Sequence, residues 1–119
     1  MLKELEKVIK ALADKNRIRI IKMLQQREMC VCEIREVLGL SQPSVSKHLK
    51  ILKDAGIIED NQKGLWTNYY INSQNDYARS LSGLVQGWLA KDIVIQNDLR
   101  QAKAADRSRL CLTGKGRGR

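Results

Sequence analysis

A mainly α-helical fold with one β-hairpin, the winged helix-turn-helix, is predicted from three stretches of this 119-residue chain. The first runs from Ser41 to Gly56 and reads as a helix punctuated at both ends. Ser41 is a good N-cap, Pro43 is tolerated in a first turn, and Gly56 supplies a left-handed stop. At 100° per residue Val45, Leu49 and Leu52 share one face, while Ser44, Ser46, Lys47 and Lys50 point the other way. One side is built to enter a core and the other to approach phosphates and base edges. The second stretch, Met29 to Gly39, is a shorter apolar segment that leaves only Leu40 before Ser41, and two short helices joined by a tight Gly-containing turn form a helix-turn-helix. The third follows Gly56, where the period changes. Ile57-Ile58-Glu59-Asp60 and Leu65-Trp66-Thr67-Asn68-Tyr69-Tyr70-Ile71 are strand-like, and Asn61-Gln62-Lys63-Gly64 is turn chemistry, so a hairpin wing with Lys63 at its tip is expected.

In chain order, Leu2, Leu5, Val8, Ile9 and Leu12 predict an amphipathic helix ending near Ala13. Asp14 then caps a second helix, in which Ile18, Ile20, Ile21 and Leu24 form a broad apolar side and Arg17, Arg19 and Lys22 a basic one. Met29-Cys30-Val31-Cys32 opens the third helix, continued by Ile34, Val37 and Leu38 and stopped by Gly39. The recognition helix and wing follow. Ile51 falls on the outward side of the recognition helix and is expected to be covered by a neighbouring segment. From Asp76 a last helix carries Leu81, Leu84, Val85, Trp88 and Leu89 on one stripe, continued by Ile93 or Ile95. Gly83 and Gly87 weaken it locally but permit close approach of another helix.

Length and composition bound the function. The chain suits one compact domain, with 43% hydrophobic residues and no Phe, so its core is expected to be aliphatic. The net charge is +9, but +5 of it falls in Lys103–Arg119, leaving a body that is only modestly basic. Such a balance favours a polyanionic partner without proving one. No window approaches the roughly 20 apolar residues of a membrane span, and charges at Lys3, Glu4, Glu6, Lys7 and Lys10 interrupt any signal-peptide core, so no membrane partner and a cytoplasmic location are expected. Three cysteines in that compartment suggest free thiols, metal ligands or redox groups rather than a disulfide framework. A lone His48 on a basic helix, the absence of a glycine-rich phosphate loop and scattered carboxylates argue against an enzyme.

The first and last helices carry more apolar face than a small winged domain buries alone, which predicts a two-fold homodimer built from both. Two recognition helices related by that axis would read half-sites about 34–36 Å apart on a pseudo-palindromic duplex.

The order of elements, together with three words, resembles the ArsR/SmtB family of metal-responsive repressors. Val8-Ile9-Lys10-Ala11-Leu12-Ala13-Asp14-Lys15-Asn16-Arg17-Ile18-Arg19-Ile20-Ile21 is similar to the family's opening, with Lys15 where Pro is frequent. Ser44-Val45-Ser46-Lys47-His48-Leu49-Lys50-Ile51-Leu52 resembles its recognition helix, and Met29-Cys30-Val31-Cys32-Glu33-Ile34 its metalloid site. The resemblance spans residues 5–95. It implies a dimeric repressor that holds operator DNA when empty and releases it on binding a toxic metal or metalloid. Gln42, Ser44, Ser46, Lys47 and His48 match the DNA-facing positions. Lys50 and Lys63 are expected phosphate contacts from the residues themselves, setting affinity and salt dependence, while Gln42 and the serines are suited to base edges. Residues 1–98 are then a DNA-binding and dimerisation domain, and 99–119 a basic tail carrying Cys111.

Cys30 and Cys32 reach one ion only if the backbone between them is not fully helical, because residues two apart on a helix diverge by about 200°. The first turn offers that freedom, and its N–H groups are expected to favour the thiolate. Soft sulfur selects soft acceptors, and pyramidal As(III) or Sb(III) is satisfied by three thiolates, with no organic cofactor required. Arg35 stands where the arsenic-sensing motif carries its third cysteine, which leaves Cys111 as the candidate third ligand. A cadmium- and lead-responsive repressor type shares the Cys-x-Cys but adds N-terminal cysteines absent here. The zinc-sensing type needs His pairs that a chain with one His lacks. A thiol-redox repressor pairing Cys111 with Cys30 or Cys32, and a winged module that binds protein instead of DNA, complete the alternatives.

Overall fold

The computed structural model describes residues 1–105 and consists of six helices and three short strands among them. Helix α1 spans Leu2–Leu12 and α2 Lys15–Gln26; strand β1 is Met29–Cys30; α3 is Val31–Leu38 and α4 Gln42–Asp54. The hairpin strands are β2 (Ile58–Lys63) and β3 (Trp66–Ile71), followed by α5 (Asp76–Gly87) and α6 (Ile93–Ala104). The expected winged helix-turn-helix is present.

Local chemistry sets most boundaries. The Asp14 carboxylate accepts from the Asn16 and Arg17 N–H groups at 2.8 and 3.1 Å and starts α2. Gly39, at φ +72°, ends α3, and Ser41 Oγ accepts from the Ser44 N–H at 3.3 Å to start α4. Gly56, at φ +78°, turns the chain from α4 into the wing. A Cβ there would meet Asn75 Nδ2 at 3.0 Å and Gln74 Cβ at 3.1 Å, so glycine serves both conformation and space.

The core is aliphatic. Val45, Leu49 and Leu52 of α4 are fully buried against Ile20, Ile21 and Met23 of α2, Ile34 of α3 and Ile57 and Ile58 at the wing's root. Each such side chain contributes roughly 1.5–3 kcal/mol on burial, so α4 is held as a rigid rod with its opposite face free. Ile51 is half-buried and packs on this core, as expected.

Four features differ from the sequence reading. Met29 and Cys30 do not open α3; they form β1, an edge strand antiparallel to β3 with Met29 opposite Tyr69 and Cys30 opposite Asn68, giving the sheet order β1-β3-β2. The hairpin turn is Gly64-Leu65, not Asn61–Gly64, because Lys63 still pairs with Trp66 as the last residue of β2. Gly64 takes φ +62° in that two-residue turn, and the exposed tip residue is Leu65. The C-terminal stripe is not one helix. Trp88 is extended, Leu89 takes φ +70°, and the Asp92 carboxylate caps a separate α6 through the Val94 and Ile95 N–H groups. That helix runs to Ala104, so the boundary drawn at 98/99 falls inside it.

The basic side of α2 is engaged by other elements. Arg19 donates to both Asp98 oxygens, at 2.8 and 3.0 Å, and locks α6 onto α2. Lys22 is buried and its Nζ donates to the carbonyls of Val85, Gln86 and Trp88, capping the end of α5; burial pulls its pKa down. Much of the apolar surface of α1, α5 and α6 remains outside: Leu2, Ile9, Leu84, Trp88, Ile93 and Val94 are all exposed.

Candidate nucleic-acid interface and thiol site

Once Val45, Leu49 and Leu52 face inward, Ser44, Ser46, Lys47 and Lys50 must face solvent, and all four are exposed. Gln42, in the first turn, is half-buried. His48 lies at the edge of this face, half-buried, with Arg17 Nη1 3.2 Å from its Nδ1. The four outward residues, with the two half-buried ones at the margin, therefore lie on the side of α4 turned away from the core.

The lysines on that side are not equivalent. Lys50 pairs with Asp54 one turn on, at 3.2 Å. Lys63 reaches back from the wing to Glu28 at 2.9 Å, and Glu28 also accepts from the buried Asn68 amide at 3.1 Å. Lys53, which sequence reasoning did not single out, is bound to Asp60 and Glu59, with Asp60 the main reason its pKa is raised. Lys47 makes no ion pair among the described residues.

Cys30 sits where the wing's sheet joins α3. Cys30 is the last residue of β1, thus part of the wing's sheet, and also the N-cap of α3, with extended backbone at φ −94°, ψ 171°. The backbone at Cys30 is therefore extended and not helical. Glu33 completes a capping box: its Oε1 accepts from the Cys30 N–H at 3.0 Å, and its own N–H is directed at the Cys30 sulfur. The other carboxylate oxygen accepts from Arg27 Nη2 at 3.1 Å, and the same nitrogen donates to the Ala102 carbonyl of α6 at 2.8 Å. Sequence reasoning missed Arg27 and Glu33. The visible signal was Glu33 three residues after a cap position, hidden because the cap is Cys and not Ser or Thr.

One expectation about this site is corrected. Cys30 is 2% exposed, and burial pushes its thiol pKa up, with the negative Glu33 carboxylate adding to the rise; the N–H groups of Glu33 and Cys32 pull the other way and do not prevail. At rest Cys30 is a protonated, free thiol. Cys32, half-buried on the first turn of α3, is disulfide-bonded. Cys111 lies outside the described residues. Among the described residues no group of three or more Cys, His, Asp or Glu is arranged to hold a metal ion.

Comparison with known proteins places these features in a group. The model of bacterial regulatory proteins of the arsR family matches residues 14–60, from the cap of α2 into the wing. The arsenic resistance transcriptional regulator ArsR1 of Pseudomonas putida is 40% identical over 91 residues, covering 71% of each chain. The arsenical resistance operon repressor of Bacillus subtilis is 41% identical over 75 residues, 62% of this chain and 71% of that one. Among solved structures, the homodimeric winged helix-turn-helix DNA-binding domain of a possible ArsR-family regulator from Mycobacterium bovis superposes with a TM-score of 0.63 at 35% identity, covering 71% of this chain and 77% of that one.

Proposed function

The chain belongs to the arsR family of bacterial regulatory proteins, and from that premise we propose that it is a homodimeric repressor that releases its operator when As(III) or Sb(III) binds cysteine thiolates. Gln42, Ser44, Ser46, Lys47 and His48 of α4 read the duplex, with Lys50 and Lys63 on phosphates. The exposed apolar residues of α1, α5 and α6 meet their two-fold counterparts, as the homodimeric relative supports. With all three reduced, Cys30, Cys32 and Cys111 would form the inducer site, their thiolates supplying the sulfur ligands that a pyramidal metalloid takes.

The observation that carries this reading is the double membership of Cys30. Its backbone pairs with Asn68 in the wing's sheet, and its position as N-cap begins the helix that leads through a tight turn into α4. Displacing this one residue therefore acts on wing and recognition helix together. The arsenical repressors among the relatives support the choice of inducer.

Anisotropy of a labelled duplex, enriched by this protein from a random-sequence library, tests it. Under reducing conditions arsenite is expected to release wild-type protein, whereas Cys30→Ser and Cys32→Ser bind the duplex and ignore arsenite. Normal release by Cys30→Ser defeats the assignment. Equal arsenic affinity of Cys111→Ser and wild type removes Cys111 from the site.

A second reading, a thiol-redox repressor, is favoured by the disulfide at Cys32. Release by an oxidant together with indifference to arsenite under reduction would establish it in place of the first.

A further inference from the structure

Arg17 was read from sequence only as part of the basic side of α2, yet each of its three guanidinium nitrogens has a partner within the protein. Its Nε donates to the Ala11 carbonyl at 2.7 Å and one Nη to the Lys10 carbonyl at 3.1 Å. Both carbonyls lie in the last turn of α1; the Lys10 carbonyl also accepts from the Ala13 N–H at 3.2 Å, so the guanidinium adds a second donor there. The group is anchored there, and its remaining nitrogen points across to the recognition helix, where Nη1 lies 3.2 Å from His48 Nδ1. The Asp14 carboxylate, 4.0 Å from the same Nη1, is the other charged group facing this corner.

The chemistry of the pair leaves one arrangement. A guanidinium has five N–H donors, no acceptor, and does not lose its proton in proteins. For this 3.2 Å contact to be a hydrogen bond, His48 Nδ1 has to offer a lone pair, and the neutral ring that does so carries its single proton on Nε2. Among the described residues Nε2 has no hydrogen-bond partner and is not a buried atom. His48 stands one turn from Ser44, at the border between the core face and the exposed face of α4, so this lone N–H is presented at the edge of the surface that faces DNA.

We propose that Arg17 is a positioning residue that fixes His48 as the Nε2–H tautomer, making the ring a donor, and only a donor, to an acceptor atom of the bound duplex. The inference rests on the DNA-reading role of α4 proposed above. The acceptor is a phosphate oxygen or a major-groove base atom such as a purine N7, guanine O6 or thymine O4. The amino groups of adenine and cytosine are refused because they too are donors. Arg17 thus contributes to recognition from outside the interface, by setting which nitrogen carries the proton.

His48 is the chain's single histidine, so its ring nitrogens are read without ambiguity in a 15N–1H correlation spectrum of the full-length protein. The free protein is expected to show a protonated Nε2 and an unprotonated Nδ1, and Arg17→Lys a mixture of tautomers. A protonated Nδ1 in wild type overturns the proposal, and this measurement stands even if Arg17→Lys fails to fold. Binding is read on a duplex enriched from a random-sequence library. His48→Gln, whose amide N–H reaches the place of Nε2, is expected to retain affinity, and His48→Asn to lose it by roughly tenfold. Arg17→Lys should weaken wild type but add nothing in the His48→Gln background; additive losses overturn the proposal. Methylphosphonate substitutions and 7-deazapurines distinguish the two acceptors, since the atom contacted is the one whose removal abolishes the difference between wild type and His48→Asn. A difference that survives all substitutions also overturns it. Should wild type enrich no duplex, the DNA-binding reading itself fails, while the spectrum still decides the tautomer.

Discussion

Among the lysines on the DNA-facing side, Lys47 is expected to dominate the salt dependence of binding. Lys50, Lys53 and Lys63 each carry a carboxylate partner, Asp54, Asp60 and Glu28, that enters the interface with them. A phosphate approaching such a pair meets a nearly neutral group. Lys47 is exposed and lacks such a partner among the described residues. Each phosphate contact contributes about 0.9 to the slope of log affinity against log salt, and a two-fold dimer presents Lys47 twice. Lys47→Ala should therefore flatten the slope by about 1.8, so that a rise from 50 to 200 mM salt weakens the variant about twelvefold less than wild type. Lys50→Ala and Lys63→Ala should flatten it by distinctly less. Anisotropy titrations over that range give the slopes. Thermal unfolding should move by no more than about 0.5 kcal/mol, because Lys47 contributes nothing to the core. An unchanged slope for Lys47→Ala, or an equal effect of Lys63→Ala, would refute the reasoning that internal pairing discounts a lysine.

Asp98→Asn should destabilise the protein by about 3–5 kcal/mol in urea unfolding, because it leaves the Arg19 guanidinium, largely buried between α2 and α6, without its charge partner; a loss under about 1 kcal/mol would mean that the pair is solvated. Asp14→Ala should cost about 1 kcal/mol at neutral pH. Burial raises the Asp14 pKa, but the N–H groups of Arg17 and Asn16 and the Arg17 charge outweigh it, so the folded value lies below the ordinary 3.8. The contribution is then present above that value and lost as pH falls through the folded one, so the urea midpoints of wild type and variant should converge in acid; a gap that widens on acidification contradicts this. Cys30, buried and protonated, should be alkylated in reduced native protein only through local opening, far more slowly than in denaturant, as read by mass spectrometry of its peptide. Comparable rates in the two conditions would show an open site.

What the sequence revealed and what it concealed divide by range. Asp14, Gly39, Ser41 and Gly56 act on backbone groups within a few residues, so their chemistry is legible from neighbours alone, as is the three- and four-residue spacing of Val45, Leu49 and Leu52. Arg17, Arg19 and Lys22 read only as a basic side because the partners that tie them to other elements include His48, Asp98 and the carbonyls at the end of α5, 31, 79 and 63–66 residues away. A basic residue's fate depends on which acceptors the fold delivers, and periodicity carries no information about that. Strand β1 escaped for another reason. Two residues have no period, and Met29-Cys30 becomes a strand only because β3 offers an edge. The break before α6 had a local sign in Asp92, overlooked because the apolar stripe continued through Ile93 and Ile95. Which residues of α4 face outward was readable from the helix, whereas the internal pairing of Lys50 and Lys63 was not.

The proposed release also has to meet an energetic requirement, and the surroundings of Cys30 are of the right size to meet it. A hundredfold loss of operator affinity needs about 2.7 kcal/mol of coupling, supplied only by a difference in inducer affinity between the two forms. Cys30 sits in β1, in a capping box with Glu33, and through Glu33 beside Arg27, which holds the end of α6. A helix cap alone contributes about 0.5–2 kcal/mol, and a hydrogen bond to a charged group about 1.5–3. In the proposed mechanism, an ion that reaches the buried sulfur by breaking the cap and the Glu33–Arg27 contact would bind the form with these contacts intact more weakly by an amount of that order. If that form is the one that grips DNA, Glu33→Gln, which weakens the contact with Arg27 while keeping an acceptor for the Cys30 N–H, should narrow the gap in operator affinity between arsenite-loaded and empty protein. An unchanged gap would place the coupling in the β1–β3 pairing instead, since that is the remaining route by which Cys30 reaches a DNA-facing element without passing through its cap.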